Sequence, residues 1–176
     1  MNFLDLAQAR HSVRKYHRRP VEPEKLQTIL EAGRVAPTAL NKQPQRFLVV
    51  DNRDGLDKLG LAADLHGAPM AVVVCSLDDQ AWVRPQDGHH MTEIDASIAT
   101  THLMLAAWEL SVASCWITWF DSAVVRREFA LPDNVIPVNI LILGYSDQEP
   151  AATDRHADKR MPLKEMVWPG QVPQLK

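Results

Sequence analysis

The chain has 176 residues, of which 46% are hydrophobic and 23% charged, and its formal net charge is −3 at pH 7. This size suits one domain with its own core, and the small negative charge gives no general attraction to nucleic acid or anionic lipid. The N-terminus, MNFLDLAQAR, lacks the apolar run of a secretory signal, and no segment approaches the roughly 20 apolar residues of a membrane span. We therefore expect a single domain over residues 1–176, a cytoplasmic location, and neither nucleic acid nor a membrane as partner.

The first half of the chain alternates between helical and strand-like patterns. Pro23 begins a segment with apolar residues at helical spacing, and Val35 belongs to its apolar face. The runs RFLVVD and MAVVVCS are rich in β-branched residues, as strands are. The predicted elements are a helix at 23–36, a strand at 46–51, a short helix at 55–65 and a strand at 70–76.

The strongest helical pattern lies in the middle of the chain. It carries two apolar stripes, one through Ile94 and Ile98 and the other through Leu103 and Leu110. A helix that is apolar on two sides needs cover on most of its surface. We expect the helix 94–110 either to be buried within one domain or to lie at an interface.

The second half ends the domain. The segment ASCWITW is followed by a predicted helix at 122–130 and by a strand at 135–145 that is apolar enough to lie deep in a sheet. After Pro150 the sequence is polar and proline-rich until MPLKEMVW. Cys75 and Cys115 lie in apolar runs and are expected to be buried thiols in a reducing compartment. The pattern predicts one α+β domain.

Several kinds of site are not expected because the sequence lacks their motifs. The sequence contains no G-x-G-x-x-G, no G-x-x-x-x-G-K-[ST] and no G-x-S-x-G, so a Rossmann-bound dinucleotide, a P-loop nucleotide and a serine hydrolase elbow are not expected. The run HHMTEID offers His89, His90, Glu93 and Asp95 to a metal. Adjacent histidines in a polar loop are usually solvated, and helical ligand pairs prefer i, i+4 spacing. We expect no metal site, and a metal hydrolase is the alternative that this run leaves.

Three polar segments are candidates for a ligand-binding site instead. QARHSVRKY places two arginines four residues apart, with a histidine and a hydroxyl between them, and guanidinium groups suit phosphate. ALNKQPQRF crowds amides and cations directly before a buried strand, and ADKRMPL adds cations near the end of the chain. Each segment alone is also typical of a solvated polar surface.

Taken together, these segments resemble one family. RHSVRKY, APTALNKQPQRFLVV, DASIATTHLMLAA with SCWI, and RMPLKEMV occur in the order found in short members of the FMN-dependent nitroreductase family. The resemblance covers residues 8–168. It implies a nitroreductase-like fold, with a central, mostly antiparallel sheet of four to five strands packed by helices. It also implies FMN at a homodimer interface, with the tail 150–176 extending over the partner subunit.

The resemblance also assigns the cofactor site by segment. Residues 10–12 would contact the phosphate or ribityl chain, and Arg14 the polar edge of the ring. Residues 37–43 would pass along the isoalloxazine, residues 116–118 would lie against its other face near N5, and residues 159–160 would return to the phosphate. The implied cofactor-binding residues are Arg10, His11, Ser12, Arg14, Pro37, Thr38, Ala39, Leu40, Asn41, Gln43, Trp116, Ile117, Thr118, Lys159 and Arg160. No side chain is expected to be catalytic, because the chemistry would be that of FMN.

The implied activity is an NAD(P)H-dependent oxidoreductase. NADH or NADPH would give hydride to FMN and leave, and a small electron-poor acceptor such as a nitroaromatic or a quinone would then bind. The lack of a dinucleotide motif favours this ping-pong scheme. A flavin-binding module without turnover, reductive dehalogenation and flavin fragmentation remain alternatives.

Some positions depart from the family pattern. Ser111 and Ala113 replace two glycines, so a positive φ there would be strained. Asp158 stands where longer relatives have a lysine. Residues 79–90 are the only candidate lid, and Trp82 within them would either stack on a planar acceptor or pack the loop on the surface. Trp119 and Phe120 also lie near the expected pocket.

Overall fold

Four strands form the central sheet of the protein, for which a computed structural model describes residues 2–173. Residue 1 and residues 174–176, which the predicted domain and tail include, lie outside the described residues. The strands are β1 (Gln45–Val50), β2 (Met70–Leu77), β3 (Ala113–Ile117) and β4 (Val135–Gly144). Their order is β1-β2-β4-β3, and every neighbouring pair is antiparallel. The prediction of an α+β fold with four to five mostly antiparallel strands is confirmed.

Seven α-helices surround this sheet within the described residues. None of the helices in residues 2–173 is long and apolar enough to cross a membrane. The helices are α1 (Phe3–Ala9), α2 (Pro23–Arg34), α3 (Arg53–Leu59), α4 (Thr92–Glu109), α5 (Ser122–Glu128), α6 (Arg155–Lys159) and α7 (Leu163–Met166).

The sheet is covered by helices on both faces. Val72 and Val74 of β2 join a buried cluster with Leu103, on the side of α2 and α4. Val73 between them joins the opposite cluster with Val125, on the side of α3 and α5. This alternation follows from the period of two in a strand, and a strand covered on both faces is apolar at every position.

Helices α2 and α3 differ from their predicted bounds. Helix α2 ends at Arg34, and Val35, predicted to lie on its buried face, is 58% exposed. The residue before Pro37 is disfavoured in helical conformation, so the helix cannot continue into the proline. Helix α3 begins earlier than predicted because the Asn52 side chain accepts a hydrogen bond from the Gly55 N–H at 2.9 Å, and it ends at Leu59. Helix α1 was not predicted.

Helix α4 is covered by its own chain on one side only. Ala99 and Leu103 are fully buried against α2 and the sheet, whereas Ile94 on the other stripe is 46% exposed and Ile98 is half-buried. The predicted helix is therefore confirmed, and its stripe through Ile94 and Ile98 is only partly buried within this chain. Its place at an interface stays a prediction.

Residues 79–90 form a small hairpin. Val83 pairs with His90 in an antiparallel bridge, and the Arg84 N–H donates to the His89 carbonyl at 2.9 Å. The Arg84 Nε also donates to Asp87 Oδ1 at 2.8 Å. These contacts order the segment, and its role as a lid stays a prediction.

Candidate functional site

The segment 10–14 lies along the outer edge of β3. Ser12 pairs with Ser114 in a parallel bridge, and the Val13 N–H donates to the Ser114 carbonyl at 3.0 Å. Side chains alternate between the two faces of such an extended segment. Arg14 accordingly lines a cleft on one face, whereas His11 lines a separate cavity on the other.

The cleft beside Arg14 is the main candidate site. Its volume is about 750 Å³, and Arg14, residues from the segment 62–66 and the segment 115–121 line it. The predicted residues Trp116, Ile117 and Thr118 all belong to this lining. The two walls are joined where the Asp121 N–H donates to the Ala62 carbonyl at 3.0 Å. The structure therefore brings Arg14 together with the predicted segment of β3.

Cys115 forms part of the floor of this cleft. Burial raises the pKa of its thiol, and Arg14, Ser12 and Arg10 oppose this shift. Arg14 lines the cleft, and Ser12 pairs with Ser114, the neighbour of Cys115 on β3.

Arg10, Arg155 and Arg160 form a guanidinium cluster. Burial lowers the pKa of Arg10 below its usual value, and the charges of Arg155 and Arg160 lower it further. Arg155 Nη2 donates to the Arg10 carbonyl at 2.7 Å, and His156 Nε2 lies 3.0 Å from the carbonyl of Gln8. These bonds hold α6 against residues 8–10 at the end of α1, so that cations from both ends of the chain meet.

The cluster has the properties of an anion site. The ion pairs found among residues 2–173 include neither Arg10 nor Arg160. Partly buried like charges repel, and a phosphate with several acceptor oxygens would relieve that repulsion. Lys159 is exposed one residue before Arg160. The cleft and this cluster together fit a flat polar ring with a phosphate tail.

His11 lies apart from the cluster. Its ring packs edge-on against Trp108 with 4.9 Å between the ring centroids, and both residues line a cavity of about 430 Å³. Alternation along the extended segment places it opposite Ser12. Of the predicted residues in this segment, Arg14 lines the cleft and His11 lines the other cavity, whereas Arg10 and Ser12 line neither.

The predicted loop 37–43 is held in an unusual backbone conformation. Leu40, Asn41 and Gln43 have positive φ values of 48°, 53° and 53°. The Thr38 hydroxyl accepts a hydrogen bond from the Gln43 N–H at 3.0 Å, which closes the loop. Residues without glycine's freedom keep such angles only when the surroundings impose them, and this strain concentrates at functional sites.

A buried carboxylate anchors this loop to α4. Asp95 is 1% exposed, and its Oδ1 accepts a hydrogen bond from the Ala39 N–H at 2.9 Å. The side chains of Pro37, Leu40 and Asn41 are exposed and free to contact a ligand.

The loop 37–43 and the segment 10–14 lie at opposite ends of α4. Asp95, which binds the loop, is in the first turn of the helix, and Trp108, which contacts His11, is in the last. These two positions are 13 residues apart, or about 20 Å at 1.5 Å per residue. One chain therefore does not bring the loop 37–43 to its own segment 10–14.

Several residues of the site were not predicted. Asp64 and His66 line the cleft, and Arg155 joins the guanidinium cluster. The sequence ADLHG signals a turn, but nothing in it indicates which surface the turn faces. Arg155 carried a usable signal, since it stands in a run of cations that includes the predicted Lys159 and Arg160.

The two positions where family glycines are replaced differ in backbone conformation. Ser111 adopts a φ of 58°, so a non-glycine residue does occupy a left-handed position there, whereas Ala113 begins β3.

Within residues 2–173 no group of three potential metal ligands comes together. His90 instead lies 3.2 Å from Asp78.

A family model and known sequences both relate this chain to nitroreductases. The model of the nitroreductase family matches residues 7–64 and 56–145. A protein from Methanothermobacter thermautotrophicus, provisionally named NADH dehydrogenase/NAD(P)H nitroreductase, is 32% identical over 93% of this chain and 87% of its own.

Solved structures of nitroreductases also resemble this chain in fold. A nitroreductase family protein from Clostridium difficile 630 is 46% identical, with a TM-score of 0.96 over 98% of this chain and all of its own (100%). A protein from Desulfovibrio desulfuricans, provisionally named a nitroreductase and solved in complex with FMN, is 26% identical, with a TM-score of 0.81 over 98% of this chain and 99% of its own.

Proposed function

The chain belongs to the nitroreductase family, and from this premise we propose that it is an FMN-dependent oxidoreductase using NADH or NADPH. It works by a ping-pong mechanism and reduces a small electron-poor acceptor, such as a quinone or a nitroaromatic. A relative in the same family is named for NAD(P)H, and another was solved with FMN.

One observation carries the proposal: the segment 10–14 contributes Arg14 to the cleft and Arg10 to the cluster with Arg155 and Arg160. A ring pocket next to a cationic cluster without carboxylate partners matches the shape and charge of FMN, a planar ring with an anionic phosphate. A cleft of about 750 Å³ is within the usual range for a cofactor site and leaves room for a second planar molecule.

Different residues bind the phosphate end and the ring of FMN. Arg10, Ser12, Lys159 and Arg160 hold the phosphate end, with Arg155 fixing α6 in place. Arg14 donates hydrogen bonds to the carbonyl edge of the ring, and the segment 116–118 supports one ring face. When bound, FMN supplies the hydride relay between the two substrates, and the protein orients it and excludes water.

A second copy of the chain completes the site. The loop 37–43 lies at one end of α4, and the segment 10–14, which contributes Arg14 to the cleft, lies about 20 Å along the helix at the other end. The exposed stripe through Ile94 and Ile98 gives α4 an apolar surface on which two copies can pair. In such a homodimer, the strained loop of one copy faces the ring held by the other.

The C-terminal segment extends this pairing. Leu163, Met166 and Trp168 are large apolar side chains in and after α7, and all three are exposed in the isolated chain. Such a concentration of exposed apolar surface marks an interaction site. We assign it to contact with the partner subunit, where it helps to enclose the phosphate end.

Initial-rate kinetics test this function. Rates measured at several fixed concentrations of NADH or NADPH, with a quinone as the varied substrate, should give parallel lines in double-reciprocal plots. Intersecting lines would show that both substrates bind together and would overturn the ping-pong mechanism. No turnover with either nucleotide, by a protein that retains FMN, would favour a flavin-binding module.

A further inference from the structure

A histidine–carboxylate pair forms one corner of the cleft. Asp64 Oδ1 accepts a hydrogen bond from the His66 N–H at 2.7 Å, and Asp64 Oδ2 lies 3.0 Å from His66 Nδ1. Both residues line the cleft that contains Arg14. The one carboxylate therefore holds the histidine by its backbone and by its ring.

The backbone here is strained in support of this arrangement. His66 has a φ of 53°, and Gly67 after it has a φ of 76°. A positive φ is uncommon for a residue other than glycine, and His66 makes both contacts with Asp64 in this conformation. The surrounding turn therefore fixes where the imidazole stands.

The pairing also fixes the hydrogen-bonding character of the free nitrogen. A carboxylate only accepts hydrogen bonds, so Nδ1 of His66 must be the donor in its contact with Asp64. In the neutral ring Nε2 then carries no proton and is an acceptor. The cleft thus contains a guanidinium that only donates, on Arg14, and an imidazole nitrogen that accepts.

This combination complements a cyclic imide. Such an edge presents an N–H between two carbonyl groups, and the N–H needs an acceptor that Arg14 cannot provide. We infer that His66, oriented by Asp64, accepts the ring N3–H of FMN through Nε2 and thereby helps to select the cofactor. This inference rests on the proposed function and adds two residues to it.

The test compares FMN with 3-methyl-FMN, in which a methyl group replaces the N3 hydrogen. Flavin-free protein is titrated with each compound, and binding is followed by quenching of flavin fluorescence. The wild type should bind FMN about tenfold more tightly than the methylated analogue, and His66→Ala should reduce this preference to about twofold or less, by the loss of one hydrogen bond. His17→Ala is the matched control, because His17 pairs with Asp147 at the surface and is not among the residues that line the cleft.

Asp64→Asn gives an independent test that leaves His66 in place. The asparagine oxygen can still accept from the His66 N–H, but its amide N–H₂ would face Nδ1 and favour the tautomer with the proton on Nε2. A donor would then oppose the N3–H, so this variant should also lose the preference. A merely structural role for Asp64 would instead weaken both flavins equally.

The possible results are distinct. A wild type that binds neither flavin would overturn the proposed function itself. A wild type that binds both equally, or variants that keep the full preference for FMN, would overturn only the role of His66. Loss of the preference in His66→Ala and Asp64→Asn, with His17→Ala unchanged, would establish it.

Discussion

Replacing Arg10 with alanine should weaken FMN binding without destabilising the flavin-free protein. In the folded chain, burial and the charges of Arg155 and Arg160 lower the pKa of Arg10, so folding disfavours its charged form. Its removal therefore relieves repulsion when no anion is bound. With FMN bound, the variant loses a charge-assisted contact worth about 1.5–3 kcal/mol, which corresponds to roughly a ten- to hundredfold higher Kd.

The assay separates a phosphate contact from a general defect. Flavin-free wild type and Arg10→Ala are titrated with FMN and with riboflavin, which lacks the phosphate, and thermal unfolding is followed for both proteins. FMN affinity should fall while riboflavin affinity stays the same, and the Tm of the flavin-free variant should be equal to or higher than that of the wild type. Arg53→Ala is the control, since Arg53 is an exposed arginine paired with Asp57 on α3.

Two results would refute this reasoning. An equal loss of affinity for FMN and riboflavin would place Arg10 away from the phosphate. Unchanged FMN affinity would remove Arg10 from the site and leave its unfavourable position in the structure without an explanation.

Further predictions concern assembly, strain and the acceptor. The protein should be a homodimer by light scattering, and Ile98→Glu should yield monomers that retain little FMN, because each site needs both copies. Ser111→Gly should raise the free energy of unfolding by about 0.5–1 kcal/mol, since Ser111 has a φ of 58°. Trp119→Ala should keep FMN but raise the KM for aromatic acceptors, because this side chain lines the cleft and is 95% exposed. Trp82→Ala should change that KM only if the hairpin 79–90 acts as a lid.

Each of these predictions has an outcome that contradicts it. A monomer mass for FMN-loaded wild type would exclude a site shared between copies. Ser97→Gly in α4 is the control for strain and should lower stability, so equal effects of both glycines would show that Ser111 is not strained. A Trp119→Ala variant that matches wild type with every acceptor would remove Trp119 from the acceptor site.

The elements that sequence predicted best are those whose pattern depends on burial alone. β2 and β4 are buried on both faces and read as continuous apolar runs, and the two apolar stripes of α4 predicted a helix that the structure confirms. Helix ends were less predictable because they depend on single side chains. The Asn52 cap starts α3 early, and the chain before Pro37 stops α2 short of Val35.

The arrangement of the candidate site was also only partly predictable from the sequence. The cations at the two ends of the chain could be read from the sequence, but their meeting depends on Arg155 bonding to the Arg10 carbonyl, a contact across 145 positions. The side of the strand on which His11 falls, opposite to Ser12, depends on the bridge to β3. Asp64 and His66 escaped prediction because a short turn does not indicate which surface it faces.

The most direct test of the central claim is the visible absorption of the purified protein, freed of unbound flavin and then titrated with NADH or NADPH without oxygen. We expect a flavin band with one FMN per chain, loss of that band with at least one nucleotide, and its return when a quinone is added. A protein that has no flavin band and does not take up FMN, or whose band neither nucleotide bleaches, would contradict it.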